Sequence, residues 1–200
     1  MKIKHVALLV LLVSVAVFSR PQDIGQPATI DLGMGAFANS SGPILLTVDS
    51  ALVTRTLGNP YVMFYAYMAS KDSNRKISVA AKDIIIRYNG KDLSLPTVRE
   101  LRSNYGGINR DYSLYGQLGK EAVIASWVRM YQFPTRPNFF PPTDMSTDIA
   151  VDTGSMFGFY GFDTPLYLKN PGFAKGDKMT FVVKDRKNPD IISECEVVLK

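Results

Sequence analysis

A tight turn at Asn89-Gly90 constrains the fold of this chain more than any other local pattern. The pair lies within residues 83–96, between two runs that are rich in aliphatic side chains. Asn and Gly accept the positive φ angles that both central residues of a type I′ turn require, so the pair predicts a two-residue β-hairpin. The resulting register sets Arg87 opposite Asp92 on one face of the hairpin. Four aliphatic residues fall on the other face: Ile84, Ile86, Leu93 and Leu95.

An isolated hairpin is marginally stable in water, so this one needs a larger sheet and a covering layer. Other runs of aliphatic, β-branched and aromatic residues predict the missing strands, at residues 28–32, 44–53, 61–69, 77–79, 179–183 and 191–199. The stretch 61–69 is apolar or amphipathic on both faces, which is typical of a central strand. Many short strands separated by turn residues predict an all-β fold, an antiparallel β-sandwich.

The last two predicted strands are expected to pair and to share a buried face. The residues expected on that face are Met179, Phe181, Val183, Cys195, Val197 and Leu199. Residues 173–177, Phe-Ala-Lys-Gly-Asp, precede this pair. This end of the chain resembles the final strands of immunoglobulin-like domains, and the resemblance implies an immunoglobulin-like sandwich without the paired cysteines of antibody domains.

One short helix is predicted near residues 97–104. Thr97 and Glu100 have the spacing of a capping box, in which each side chain hydrogen-bonds to the backbone of the other residue. Residues 120–133 leave two alternatives open, because apolar residues recur there both four apart and in alternation. Their aromatic and β-branched content favours a strand.

The N-terminus predicts a secretory signal peptide at residues 1–19. Lys2 and Lys4 precede an apolar run at residues 6–18, which is short for a membrane span. An uncleaved membrane anchor is the competing interpretation.

The remaining chain predicts a flexible lead-in at residues 20–43, rich in Gly, Ser, Asn and Pro, followed by a single β-sandwich domain at residues 44–200. No later stretch of the sequence is long and apolar enough for a membrane helix. We therefore expect a secreted or periplasmic protein with no membrane span after removal of the signal peptide.

Signal-peptide cleavage would also restrict the chemistry that the chain can perform. It would remove His5, the only histidine. The mature chain could then form neither a Ser-His-Asp triad nor a zinc site with an imidazole ligand. Loss of Lys2 and Lys4 would lower the formal net charge from +5 to +3. That charge is spread along the chain, so nucleic-acid binding is not expected. Cys195 is the only cysteine and is expected to be a small buried hydrophobe. We expect no cofactor.

Residues 150–155, Ala-Val-Asp-Thr-Gly-Ser, resemble the Asp-Thr-Gly-Ser signature of aspartic peptidases. The resemblance implies a hydrolase in which two aspartates share a proton and activate water. Because the motif occurs once in the chain, such an enzyme would be a homodimer with Asp152 contributed by each copy. The alternative interpretation of the motif is a strand that ends in an Asp-x-Gly turn.

Asp144, Asp148 and Asp152 are spaced by four residues. In a loop, their carboxylates could converge on a calcium ion together with backbone carbonyl groups. Their spacing does not follow the EF-hand order, and solvated acids beside strands are the alternative.

The segment 134–168 is unusually aromatic and forms an insertion in the sandwich. Five of its residues are the binding candidates: Phe139, Phe140, Phe157, Phe159 and Tyr160. They could form an exposed platform for a glycan or for a partner's apolar side chains, or they could fill the core. Phe139 and Phe140 lie between prolines and are expected to be the most exposed of the five.

These patterns favour an exported, non-catalytic β-sandwich protein that binds a protein or glycan partner or forms part of a surface or periplasmic assembly. The alternative is the homodimeric hydrolase that acts through Asp152. The identity of the partner and the oligomeric state stay open.

Overall fold

The computed structural model describes residues 29–118, 124, 131–135, 137–142 and 150–200. The strands are β1 (Ile30–Gly33), β2 (Ala36–Asn39), β3 (Ile44–Asp49), β4 (Tyr61–Ser70), β5 (Lys76–Ala80), β6 (Ile84–Tyr88), β7 (Lys91–Ser94), β8 (Gln132–Thr135), β9 (Thr153–Phe157), β10 (Tyr160–Lys169), β11 (Lys178–Lys184) and β12 (Ile192–Val198). The helices with defined bounds are α1 (Ala51–Arg55), α2 (Val98–Asn104) and α3 (Ile108–Gln117).

The strands form two stacked sheets. The larger has the order β1-β2-β3-β4-β10-β9-β5, with β8 pairing in parallel with β10, and the smaller has the order β12-β11-β6-β7. Apart from the β8–β10 pair, the neighbouring strands in both sheets are antiparallel. The ring of Phe64 on β4 meets that of Phe181 on β11 edge-on, with 4.9 Å between the ring centroids. The predicted all-β antiparallel sandwich is therefore confirmed, whereas its immunoglobulin-like topology stays a prediction.

The hairpin at Asn89-Gly90 has the predicted geometry. Asn89 and Gly90 have φ angles of 49° and 73°, as a type I′ turn requires. Arg87 is the cross-strand partner of Asp92, and their side chains form an ion pair at 3.5 Å. On the other face Ile86 is fully buried, so the register set by the turn places the aliphatic residues against the rest of the sandwich.

The strand β4 occupies the centre of the larger sheet, between β3 and β10. Nearly every residue along it is buried, which explains why its sequence is apolar on both faces. Phe64 and its alternate neighbours face the smaller sheet, whereas Tyr61, Tyr65 and Tyr67 point to the opposite face. There they meet α2 and α3.

The closing strands β11 and β12 pair along their whole length, with Phe181 opposite Cys195. The residues predicted for their inner face are all buried: Met179, Phe181, Val183, Cys195, Val197 and Leu199.

Ordered structure begins before the predicted start of the domain at residue 44. The strand β1 lies at the edge of the larger sheet, as predicted for residues 28–32, and β2 joins it to β3. Phe37 and Ala38 on β2 are buried. Part of the segment expected to be a flexible lead-in therefore belongs to the sheet, because a short apolar run outweighs the Gly- and Ser-rich sequence around it.

The helix α2 begins at the predicted N-cap, and the Thr97 half of the predicted capping box is formed, with the Thr97 hydroxyl accepting a hydrogen bond from the Glu100 backbone N–H at 3.1 Å. The Glu100 carboxylate accepts a hydrogen bond from the Tyr61 hydroxyl, so it connects the helix to β4. The prediction of a single helix is wrong, because α1 replaces the end of the strand predicted at residues 44–53 and α3 follows α2. Within the described residues, no helix is both long enough and apolar enough to cross a bilayer.

Most of the segment 120–133, for which a strand was favoured, lies outside the described residues. Ile124 is helical and buried. The strand β8 includes the last two residues of the segment and continues to Thr135.

The edge strand β5 is capped by the loop that joins β11 to β12. The Asp185 carboxylate accepts a hydrogen bond from the Ser78 backbone N–H at 3.0 Å. The Arg186 backbone N–H donates to the Ser78 carbonyl at 2.7 Å. Both backbone groups of Ser78 are therefore satisfied without a further strand.

Candidate functional site

The β9–β10 hairpin carries aromatic residues at its turn. Phe157 ends β9, Tyr160 begins β10, and the two are cross-strand partners, so Gly158 and Phe159 form a two-residue turn. Gly158 has a φ angle of 59°, a left-handed conformation that suits glycine at the first central position of a type II′ turn. We call Phe157, Phe159 and Tyr160 the aromatic tip.

The side chains of the aromatic tip are exposed together. The exposed fractions are 49% for Phe157, 56% for Phe159 and 52% for Tyr160. The backbone beneath them is anchored, because the Gln132 N–H donates a hydrogen bond to the Phe159 carbonyl at 2.9 Å. The ring of Tyr131 lies 6.3 Å from that of Phe159, centroid to centroid. The hairpin therefore presents large apolar rings to solvent on a backbone that hydrogen bonds hold in place.

Basic residues lie beside the aromatic tip. Lys76, the first residue of β5, is the cross-strand partner of Phe157 and is exposed. Arg75 is also exposed and forms an ion pair with Asp72 at 3.6 Å. A Cβ placed on Gly158 would lie 3.9 Å from the Ser73 Cα, so the turn between β4 and β5 lies next to the aromatic tip.

The prediction that Phe139 and Phe140 are exposed is wrong, because each has an exposed fraction of only 2%. The Phe139 ring packs against Phe162, with 6.1 Å between centroids, and the Phe140 ring packs against Tyr167, with 5.6 Å between centroids. Phe162 and Tyr167 alternate onto opposite faces of β10. The two phenylalanines therefore straddle this strand, and of the five binding candidates only those of the aromatic tip are available at the surface.

Asp152 lies at the protein surface, immediately before β9. Its carboxylate accepts a hydrogen bond from the Thr153 hydroxyl at 3.0 Å, and its backbone carbonyl accepts one from the Ala81 N–H. Thr153 and Gly154 already belong to β9, so the motif begins a strand, whereas the alternative interpretation was a strand that ends in an Asp-x-Gly turn. A proton-sharing pair would require a second chain to cover this position.

The calcium candidates Asp144 and Asp148 lie outside the described residues. Within the part of the chain that the structure describes, no three potential metal-ligating side chains come together. Asp152, the third candidate, is the one whose surroundings are described, and the Thr153 hydroxyl is bound to its carboxylate.

A buried cluster of tyrosines and aspartates lies on the face of β4 that α3 covers. The Tyr65 hydroxyl donates to Asp163 at 2.6 Å, and the Tyr115 hydroxyl donates to Asp49 at 3.3 Å. The Tyr65 and Tyr115 rings are stacked, with 4.4 Å between centroids. Burial is the main factor that raises the pKa of Tyr115, and the nearby Asp49 raises it further. The Tyr115 hydroxyl therefore stays a protonated donor, and both tyrosines donate hydrogen bonds to carboxylates.

A second buried cluster connects α2 to α3. The Tyr105 hydroxyl donates to Asp111 at 2.7 Å and accepts hydrogen bonds from Asn59 and Arg110. Burial, together with Asp111, raises the pKa of Tyr105 to about 12. Burial also raises the pKa of Asp111, and the hydrogen bond from Tyr105 opposes that rise.

Neither cluster was predicted from the sequence. One signal was available, because the alternating tyrosines of β4 must find partners for their hydroxyl groups when they are buried. Which residues would supply those partners depends on contacts between elements that are distant in the sequence. Because both clusters are buried, they are not accessible to another molecule, and the aromatic tip is the better candidate for contact with a partner.

A scan of family models and searches of curated proteins and of solved structures find no match to this chain.

Proposed function

We propose that this chain is an exported, non-catalytic β-sandwich protein that binds a partner, a protein or a glycan, through the aromatic tip. The observation that carries the proposal is the joint exposure of Phe157, Phe159 and Tyr160 on one tight hairpin. Contiguous exposed apolar surface marks interaction sites in soluble proteins. Large rings held on a rigid backbone lose little conformational freedom on binding, which favours affinity.

The hydrolase alternative receives less support. An aspartate that activates water with a second aspartate needs a shared, water-poor site. Asp152 is exposed, and a neighbouring hydroxyl is bound to its carboxylate. Nothing in the surroundings of Asp152 favours catalysis over a structural position at the start of β9.

The proposal is tested by replacing Phe157, Phe159 and Tyr160 together with serine. Because these side chains are exposed, the free energy of unfolding should change little, by about 0.5 kcal/mol or less for each substitution. Affinity capture from cells that produce the protein, together with a glycan array, compares this variant with the parent. We expect the triple variant to lose at least one ligand that the parent binds.

A matched control replaces three exposed apolar residues elsewhere, Ile30, Met34 and Ile192, with serine. This variant should retain the ligands of the parent. Identical binding by the parent and the aromatic-tip variant would overturn the proposal, because the rings would then contribute nothing to recognition.

A further inference from the structure

The surface around the aromatic tip combines exposed rings with an excess of positive charge. The adjoining stretch, residues 71–76, contains three cationic side chains, those of Lys71, Arg75 and Lys76, and one acidic side chain, that of Asp72. The three cationic residues are exposed. Asp72 pairs with Arg75, and Lys76 forms no ion pair within the described part of the chain, so a net positive charge lies beside the rings.

The composition of this surface favours a partner that is itself an extended surface. Phe159 lies on the two-residue turn at the apex of the hairpin and is 56% exposed. Phe157 and Phe159 have no polar group with which to orient a sugar, whereas specific small-ligand and glycan sites combine apolar surface with well-placed polar groups. Exposed phenylalanine and tyrosine rings beside lysine and arginine are instead typical of surfaces that enter the interface of a bilayer.

We infer that the partner of the aromatic tip is the surface of an anionic lipid bilayer. The rings of Phe157, Phe159 and Tyr160 enter the headgroup region, and Arg75 and Lys76 contact lipid phosphates. The contact is peripheral, because a two-residue turn reaches only the interfacial layer. This inference rests on the proposed function, since it names the partner of the same surface.

The test places a fluorescent probe at the apex of the hairpin in the full-length chain. Phe159→Trp is mixed with vesicles of equal parts phosphatidylglycerol and phosphatidylcholine, whose acyl chains carry bromine as a quencher. The matched control is Met34→Trp, at an exposed turn between β1 and β2. The parent supplies the background from its own tryptophan. Quenching of a tryptophan at position 159 requires that the apex itself contacts lipid, even if the apolar N-terminal run also binds the vesicles.

After subtraction of the parent's emission, we expect lipid to quench and blue-shift the emission of the tryptophan in Phe159→Trp. The emission of the tryptophan added in Met34→Trp should stay unchanged. Binding should weaken about fivefold for each basic residue that is removed beside the aromatic tip. The charge variant is Arg75→Gln with Lys76→Gln. Its control is Lys91→Gln with Lys175→Gln, two exposed lysines elsewhere, which should bind like the parent.

Several results would overturn the inference. Equal emission changes at positions 34 and 159 would show that the hairpin does not enter the bilayer. Equal quenching in pure phosphatidylcholine would exclude an anionic surface as the specific partner. If the aromatic tip does not bind the vesicles while the triple serine variant still loses a protein or glycan ligand, the proposed function stands. Only the inference that the partner is a lipid bilayer is then overturned. If neither vesicle binding nor ligand capture depends on the rings, both proposals fail.

Discussion

Tyr105 donates its hydroxyl hydrogen to Asp111 over 2.7 Å, and this bond joins the end of α2 to the first turn of α3. Both side chains are buried. A carboxylate in such a place is costly unless hydrogen bonds and charges compensate for its lost hydration. Arg110 lies 3.6 Å from the second carboxylate oxygen of Asp111. The pKa of Asp111 is nevertheless raised, so Tyr105 and Arg110 compensate only in part for the lost hydration of the carboxylate.

The raised pKa of Asp111 predicts a pH dependence of stability with a definite sign. The folded protein holds this proton at pH values at which the unfolded chain, with an ordinary aspartate pKa of 3.8, has released it. The free energy of unfolding should therefore fall as pH rises from 3.8 through the raised pKa. Asp111→Asn should flatten this part of the profile, measured by urea unfolding at a series of pH values. Asp152→Asn is the exposed control, and an unchanged slope in Asp111→Asn would contradict the prediction.

The opposite burial of two phenylalanines predicts opposite effects of truncation. Phe139→Ala removes a ring from the core and should lower the free energy of unfolding by about 3–5 kcal/mol. Phe159→Ala removes an exposed ring and should change it by about 0.5 kcal/mol or less. Denaturant midpoints with unchanged slopes would measure both effects. Similar losses for the two variants would show that the assignment of core and surface is wrong.

Gly161 is required by the close approach of β10 to β4. A Cβ at this position would lie 2.3 Å from the Met68 carbonyl oxygen and 2.8 Å from the Ala69 Cβ. Because the nearest atom belongs to the backbone of a central strand, Gly161→Ala should cost about 1–3 kcal/mol or more. Gly58→Ala is the matched control, since nothing lies within 4 Å of a Cβ there. Thermal unfolding of the two variants should differ clearly, and equal midpoints would contradict the predicted clash.

Cys195 should be unreactive in the folded protein. It is buried on β12, and this burial raises the pKa of its thiol to about 12. Since the thiolate is the reactive form, alkylation by iodoacetamide at mildly alkaline pH should proceed only as fast as the chain unfolds. Unfolded protein in guanidinium chloride is the control and should react quickly. Rapid stoichiometric labelling of the folded protein would contradict the assignment of Cys195 to the core.

Local patterns predicted the parts of the fold that depend on neighbouring residues. The turn at Asn89-Gly90 set its own register because the required φ angles belong to the two turn residues themselves. The start of α2 followed from the Thr97 side chain and the backbone three residues later. The alternation of β11 and β12 identified their buried face, since each side chain points away from the next.

Patterns that depend on distant partners were not predictable in the same way. Flanking prolines indicated that Phe139 and Phe140 lie in a loop, but not that the loop packs its rings against Phe162 and Tyr167. The helix α3 has Gly107 at its N-cap position and therefore no side-chain cap, and it contains polar residues with weak helix preference. It is held by tertiary contacts, among them the stacking of Tyr115 on Tyr65.

The candidate site was predicted in part. The aromatic composition of the segment 134–168 drew attention to Phe157, Phe159 and Tyr160, and these rings are exposed. Composition could not separate them from Phe139 and Phe140. That separation depends on a two-residue turn at the end of β9 in one case and on packing across β10 in the other.

The cap on the edge of β5 also bears on how copies of this protein behave at high concentration. An open outer strand is a template on which another extended chain can add, and repeated addition leads to fibres. Here Asp185 and Arg186 already occupy the two backbone groups of Ser78 that such a chain would need. At the middle of β5 the edge is thereby closed to self-templated growth by an added strand.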